Sequence, residues 1–85
     1  MRIEYHRQAV RVINSLDIPT KQRIKQGVDG LLQAPPQGDI KPMQGYINTY
    51  RLRIGKLRIL YEYKQRNDEA VLYIKDIGFR GDIYK

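Results

Sequence analysis

Apolar and polar residues alternate in the opening stretch MRIEYH. Ile3 and Tyr5 fall on one side and Arg2, Glu4 and His6 on the other, which predicts a short strand. The period then lengthens. In RQAVRVINSL, Ala9, Ile13 and Leu16 recur at helical spacing with Val10 and Val12 beside them, predicting a first helix. Asp17-Ile18-Pro19 breaks it. Pro19 suits the first turn of a second helix, with Asp17 as its cap. That helix carries Ile24, Val28, Leu31 and Leu32 on one stripe, opposite Lys21, Gln22, Lys25, Gln26 and Asp29. Gly27 and Gly30 each lower its intrinsic stability by ~1 kcal/mol relative to alanine; they either permit close packing or belong to a frayed end. Pro35-Pro36 ends the helix, and the short link between the two predicts an antiparallel pair.

The next stretch, QGDIKPMQGYIN, contains two glycines and a proline and reads as a loop. Period-2 runs then predict strands over Thr49–Ile54, Leu57–Tyr63 and Ala70–Asp76, with Gln65-Arg66-Asn67-Asp68 as the second turn. The end, IGFRGDIYK, reads as a loop or a single helical turn. No repeat, low-complexity segment or interdomain linker interrupts the chain. The order is β-α-α-β-β-β, which implies an α+β fold and one domain over residues 1–85. An N-terminal strand and a helical hairpin precede a three-stranded antiparallel meander, with the helices on one face of a small sheet.

Composition narrows what such a fold would do. The 85 residues are 41% hydrophobic and 29% charged, as expected for a globular protein with a modest core. There is no cysteine, so disulfides and thiolate chemistry are excluded. Asp76 and Asp82 are too few and too scattered to suggest a metal site, and no cofactor is expected. No apolar run reaches the ~20 residues that span a bilayer, and the N-terminus lacks the apolar stretch of a signal peptide. The expectation is a cytoplasmic protein with no membrane partner. The net charge of +7 suggests a polyanionic partner.

The charge is concentrated in YRLRIGKLRILYEY, residues 50–63. With Gly55-Lys56 as the tip of a II′ hairpin, Ile54 faces Leu57, Arg53 faces Arg58, Leu52 faces Ile59 and Arg51 faces Leu60. Tyr50, Leu52, Ile54, Leu57, Ile59 and Tyr61 then share one face, and Arg51, Arg53 and Arg58 share the other. Residues 41–61 also hold Lys41 and Lys56 but no acid. Like charges opposed across strands are destabilising. The face is therefore a candidate phosphate-binding surface; the alternative is a solvated edge whose arginine stems cover apolar neighbours. Arginine grips phosphate through a planar fork and stays charged, so it can stabilise a phosphorane but cannot take a proton at neutral pH. His6, the only histidine, reads as a surface or capping residue. Tyr46, Tyr50, Tyr61, Tyr63 and Tyr73 read as core or sheet residues. Tyr84, four residues after Arg80, can share a face with it.

YRLRIGKLRILYEY followed by VLYIKDIGFRGDIYK, with GLLQAPPQGDIKPMQGYINTYRLRIG ahead of it, resembles the RelE/ParE superfamily of toxins from toxin–antitoxin pairs. The resemblance covers essentially the whole chain. It implies a fold similar to small microbial ribonucleases and, for a RelE-like member, cutting of mRNA in the ribosomal A site by attack of a ribose 2′-OH on the adjacent phosphate. It implies site roles as well. Arg51 and Arg53 match the paired basic positions on the first meander strand, lysines in well-studied members. Arg58 matches the arginine that stabilises the transition state. Arg80 matches a second arginine, and Tyr84 the tyrosine that orients the nucleotide. Phe79 stands where many relatives have histidine, and with Lys41 and Lys56 completes the RNA-contacting set. A cognate antitoxin, the ribosome and mRNA are the implied partners, with a heterotetramer or larger complex open to toxin and antitoxin. Two other functions remain open: a ParE-like gyrase inhibitor without nuclease activity, and a non-toxic RNA-binding relic.

Overall fold

The computed structural model describes residues 1–79. Strand β1 (Arg2–Tyr5) leads into helices α1 (Arg7–Asn14) and α2 (Ile18–Leu31), followed by β2 (Asp39–Pro42), β3 (Thr49–Ile54), β4 (Leu57–Arg66) and β5 (Glu69–Phe79). The strands form one sheet in the order β1-β5-β4-β3-β2. β1 runs parallel to β5, and every other pairing is antiparallel. The α+β class holds, but the meander is longer than its pattern suggests. Residues 39–42, expected in a loop, form edge strand β2. Ile40 pairs with Leu52, and Pro42 lies at the strand end on the sheet edge, where proline is tolerated. Residues 77–79, expected in a loop or helical turn, continue β5 opposite Leu57–Ile59.

Local chemistry sets the helix ends. His6 caps α1, its Nδ1 accepting from the Gln8 amide at 3.1 Å. Asp17 caps α2, its Oδ1 accepting from Thr20 N, and hydrogen bonding from Thr20, the side chain first and the backbone second, holds its carboxyl below the usual range. Pro19 occupies the first turn. Both hairpin turns follow their residues. Gly55 has φ +58° at the first central position with Lys56 outside the left-handed region, as a II′ turn requires; Asn67 and Asp68, at +51° and +64°, match the I′ type.

The predicted hairpin register is the observed one. Cross-strand rows assign each side chain to a face. Ile40, Leu52, Ile59 and Ile77 share one face with Tyr50, Tyr61 and Ile74. Ala9, Ile24, Val28 and Leu31 of the two helices join them in the buried core. Tyr50, Tyr61 and Tyr63 cluster there, with Tyr50 and Tyr61 stacked at 5.7 Å between centroids. The Tyr63 hydroxyl donates to Leu31 O at 3.0 Å, tying β4 to the end of α2. Burial pushes the phenols of Tyr61 and Tyr63 up from their ordinary value. Tyr46, expected in core or sheet, is instead exposed in the loop before β3. The opposite face of the sheet carries no helix among the described residues. Among them, too, no helix is long and apolar enough to cross a membrane.

Candidate nucleic-acid interface

Two adjacent rows on the helix-free face contain the hairpin arginines. One runs Asp39, Arg53, Arg58, Gly78 and the next Lys41, Arg51, Leu60, Asp76. The alternation of β3 and β4 therefore brings Arg51, Arg53 and Arg58 to one side, as expected. It does not leave them unneutralised. β2 carries Asp39 alongside them, where one carboxylate serves two guanidiniums: Arg51 Nη2 lies 3.4 Å from Oδ1, and Arg53 Nε donates to Oδ2. The hydrogen bond from Arg53 is the main reason the Asp39 carboxyl sits below its usual range. The acid was missed because it lies outside the arginine-rich segment, in a stretch whose glycines and proline conceal a strand.

The three arginines differ in availability. Arg53 is half exposed, at 51% of its side chain. Arg51 is buried beside Asp39. Arg58 is only 6% exposed. Its Nη1 donates to Gly55 O at 3.2 Å and Leu57 O at 3.1 Å, so it braces the hairpin that carries it. Gly78 lies opposite it on β5 and offers no side chain to crowd the guanidinium. The expectation of three cations with nothing to neutralise them is corrected: Asp39 holds Arg51 and Arg53, the hairpin carbonyls hold Arg58, and of the three only Arg53 keeps half of its side chain in solvent.

Other cations surround the tip. Lys56 is exposed at the turn, and Lys41 is exposed on β2 rather than in a loop. Arg23 of α2, absent from the sequence-based set, also reaches the turn: a Cβ on Gly55 would lie 2.7 Å from its Nη2. Nothing local in the sequence marks Arg23, because only tertiary packing brings α2 to the tip. Phe79, at the end of β5, is 48% exposed and lies in the row Ile54, Leu57, Phe79 beside the hairpin tip; that row alternates to the helix-bearing face, so the ring does not join the arginines. Arg80, Tyr84 and Asp82 lie outside the described residues. No group of three or more His, Cys, Asp or Glu that could hold a metal occurs among the described residues.

The arrangement is a positively edged sheet face able to bind a phosphodiester backbone. Comparisons with known proteins bear on the family and on the fold that carries this face. Residues 3–84 match the model of the family described as ParE toxin of type II toxin-antitoxin system, parDE. A Methanocaldococcus jannaschii protein named "Putative toxin RelE1" is 28% identical over 86 residues, covering 98% of this chain and 93% of that protein. The archaeal RelE–RelB complex from Pyrococcus horikoshii contains a chain with TM-score 0.73 and 26% identity, covering 95% of this chain and 96% of that one. The YoeB/ParE toxin from Agrobacterium tumefaciens has TM-score 0.79 over 94% of this chain and 99% of that one, and at 15% identity speaks to the fold alone.

Proposed function

This chain belongs to the ParE toxin family of type II toxin–antitoxin systems, and we propose that it acts as a RelE-like endoribonuclease that cuts mRNA on the ribosome. The carrying observation is the pair of adjacent rows that set Arg51, Arg53 and Arg58 on a sheet face without a helix. In this reading Arg53, Lys41 and Lys56 hold the RNA backbone. Arg51 and Arg58, prepositioned by Asp39 and the hairpin carbonyls, supply fixed positive charge to the phosphorane formed when a 2′-oxygen attacks the adjacent phosphate. Arg80 and Tyr84 join them through the family resemblance. Arginine does not accept a proton at neutral pH, so the base is a group other than these arginines. The antitoxin named with the related archaeal toxin makes a cognate antitoxin the expected protein partner.

A second reading, a ParE-like gyrase inhibitor, is favoured by the family whose model matches and by the three hairpin arginines already engaged within the protein. Expression without antitoxin separates the two. The ribonuclease reading predicts growth arrest with new mRNA 5′ ends within translated codons, lost when ribosomes are removed, and relief of the arrest by Arg58→Ala or Arg80→Ala. Arrest with intact mRNA and a DNA-damage response would overturn it in favour of the gyrase reading.

A further inference from the structure

A recess of about 370 Å³ opens beside the arginine rows where the sheet meets the start of α1, with Leu60, Tyr46, Tyr73, His6, Lys75 and Asp76 among its walls together with Gln8 of α1. A break in strand register creates it. Leu60 pairs with Asp76 but Tyr61 pairs with Ile74, so Lys75 is an extra residue in β5. The bulge interrupts the strict alternation of β5, and Lys75 and Asp76 both come to line the recess.

The polar atoms there are of both kinds. Lys75 Nζ lies 3.4 Å from Thr49 Oγ1 and 3.9 Å from Glu62 Oε2, and an ammonium has three donors to share. Asp76 Oδ1 accepts from the Ile77 amide at 2.8 Å, which orients the carboxylate and leaves Oδ2 as the acceptor for a ligand. His6 uses Nδ1 to accept from Gln8 N, so the neutral ring carries its proton on Nε2 and is a donor. Leu60 supplies an apolar wall, and Tyr46 and Tyr73 supply rings.

A phosphate would meet the Asp76 carboxylate in this recess, so a bare anion is a poor fit. A nucleobase is a good one: it has flat π faces for tyrosine and an edge bearing both donors and acceptors. The volume lies near the lower end for small-ligand sites. Position agrees too. Leu60 and Asp76 share a row with Arg51, one row from Arg53 and Arg58. Two residues along a strand advance about 6.7 Å, comparable to one nucleotide step in an extended chain. We propose that the recess at the β5 bulge binds one unstacked base of the RNA strand whose backbone lies on the neighbouring arginine row. This rests on the RNA-binding reading above.

The test uses the purified full chain and four single-stranded RNA tetranucleotides that differ in one central base, titrated at low salt. Affinity and backbone amide shifts are read together. Binding should shift the amides of Tyr73–Gly78 and rank the four bases. Asp76→Asn retains an oxygen for the Ile77 amide and is the first variant. If Asp76 merely repels RNA, removing its charge strengthens binding equally for all four; the proposal expects about tenfold weaker binding of the preferred base and a flattened ranking. Tyr73→Leu, checked for folding by circular dichroism, should weaken all four by about tenfold through lost stacking. Unchanged ranking in Asp76→Asn, or no shifts at residues 73–78 on binding, overturns the proposal. The cellular assay stands apart from this result. Codon-phased mRNA cuts without recess shifts would leave the ribonuclease reading standing and reject the recess. Intact mRNA with base-ranked binding at the recess would do the reverse.

Discussion

Arg53 and Arg58 face each other across β3 and β4, yet their surroundings give them different work. Arg53 projects into solvent and is held by Asp39; Arg58 is buried against two carbonyls of its own hairpin. Arg53→Ala should therefore change stability by no more than about 0.5 kcal/mol while weakening RNA binding. Arg58→Ala should cost about 1–3 kcal/mol, because it removes charge-assisted bonds and leaves carbonyls of the turn without their donor. Urea midpoints of the two variants measure the contrast, and equal midpoints would contradict it. The consequence for function is direct. Loss of toxicity in Arg58→Ala reports on chemistry only when the variant is shown to be folded, whereas Arg53→Ala reports on charge alone. Alternation revealed that these arginines share a face, since a period of two is a local property of the chain. It was silent on burial, which depends on Asp39 arriving from 14 residues upstream of Arg53 and on Gly78 arriving from β5.

At the scale of elements, α2 and β2 show where local pattern carries the fold and where it does not. The α2 stripe, its Asp17 cap and its proline were legible because each acts within one or two turns. β2 was not: four residues with an acid at one end and a proline at the other resemble a loop until Ile40 meets Leu52. Residues 77–79 were hidden for a similar reason, as Gly78 reads as a turn signal but sits in the ladder opposite Arg58. The two glycines of α2 do permit close packing, with different consequences. A Cβ on Gly27 would press on Ile54 Cδ1, the movable end of a side chain, and a Cβ on Gly30 would lie 2.9 Å from the backbone oxygen of Gln37. The gain of ~1 kcal/mol in helix propensity can offset the first and not the second. Gly27→Ala should thus be near neutral and Gly30→Ala destabilising by about 1–2 kcal/mol, read as thermal or urea midpoints. The β2 contact has its own pH signature. Arg53 lowers the Asp39 carboxyl in the folded state, so its contribution is complete above the ordinary value of 3.8 and is lost as pH falls through the lower folded value. The stability difference between wild type and Asp39→Asn should stay constant from neutral pH to about pH 5 and shrink below pH 4. A difference that is unchanged into that acid range would mean that the carboxylate does not hold β2 to β3.

For the molecule as a whole, the net charge of +7 favours a polyanionic partner, and the internal pairing sets how strongly salt should oppose the proposed RNA contact. Each phosphate neutralised on a single strand contributes about −0.7 to the slope of log K against log salt. If Arg53, Lys41 and Lys56 make the contacts while Asp39 keeps Arg51 and the hairpin keeps Arg58, three phosphates give a slope near −2. Raising salt from 50 to 200 mM then weakens binding by roughly twentyfold. If RNA displaces Asp39 and draws in all five cations, the slope approaches −3.5 and the same change costs roughly a hundredfold. Asp39→Asn distinguishes these cases. With Asp39 in place during binding, its removal frees Arg51 and should steepen the slope by about one contact. With Asp39 already displaced in the complex, the variant should bind more tightly at every salt concentration while the slope stays the same. The held state is the expected one, because Arg53 keeps half of its side chain in solvent while bonded to Asp39, whereas Arg51 is buried against the same carboxylate. A wild-type slope near −2 that steepens in Asp39→Asn would establish the acid of β2 as the element that limits how much of the positive face an RNA can use.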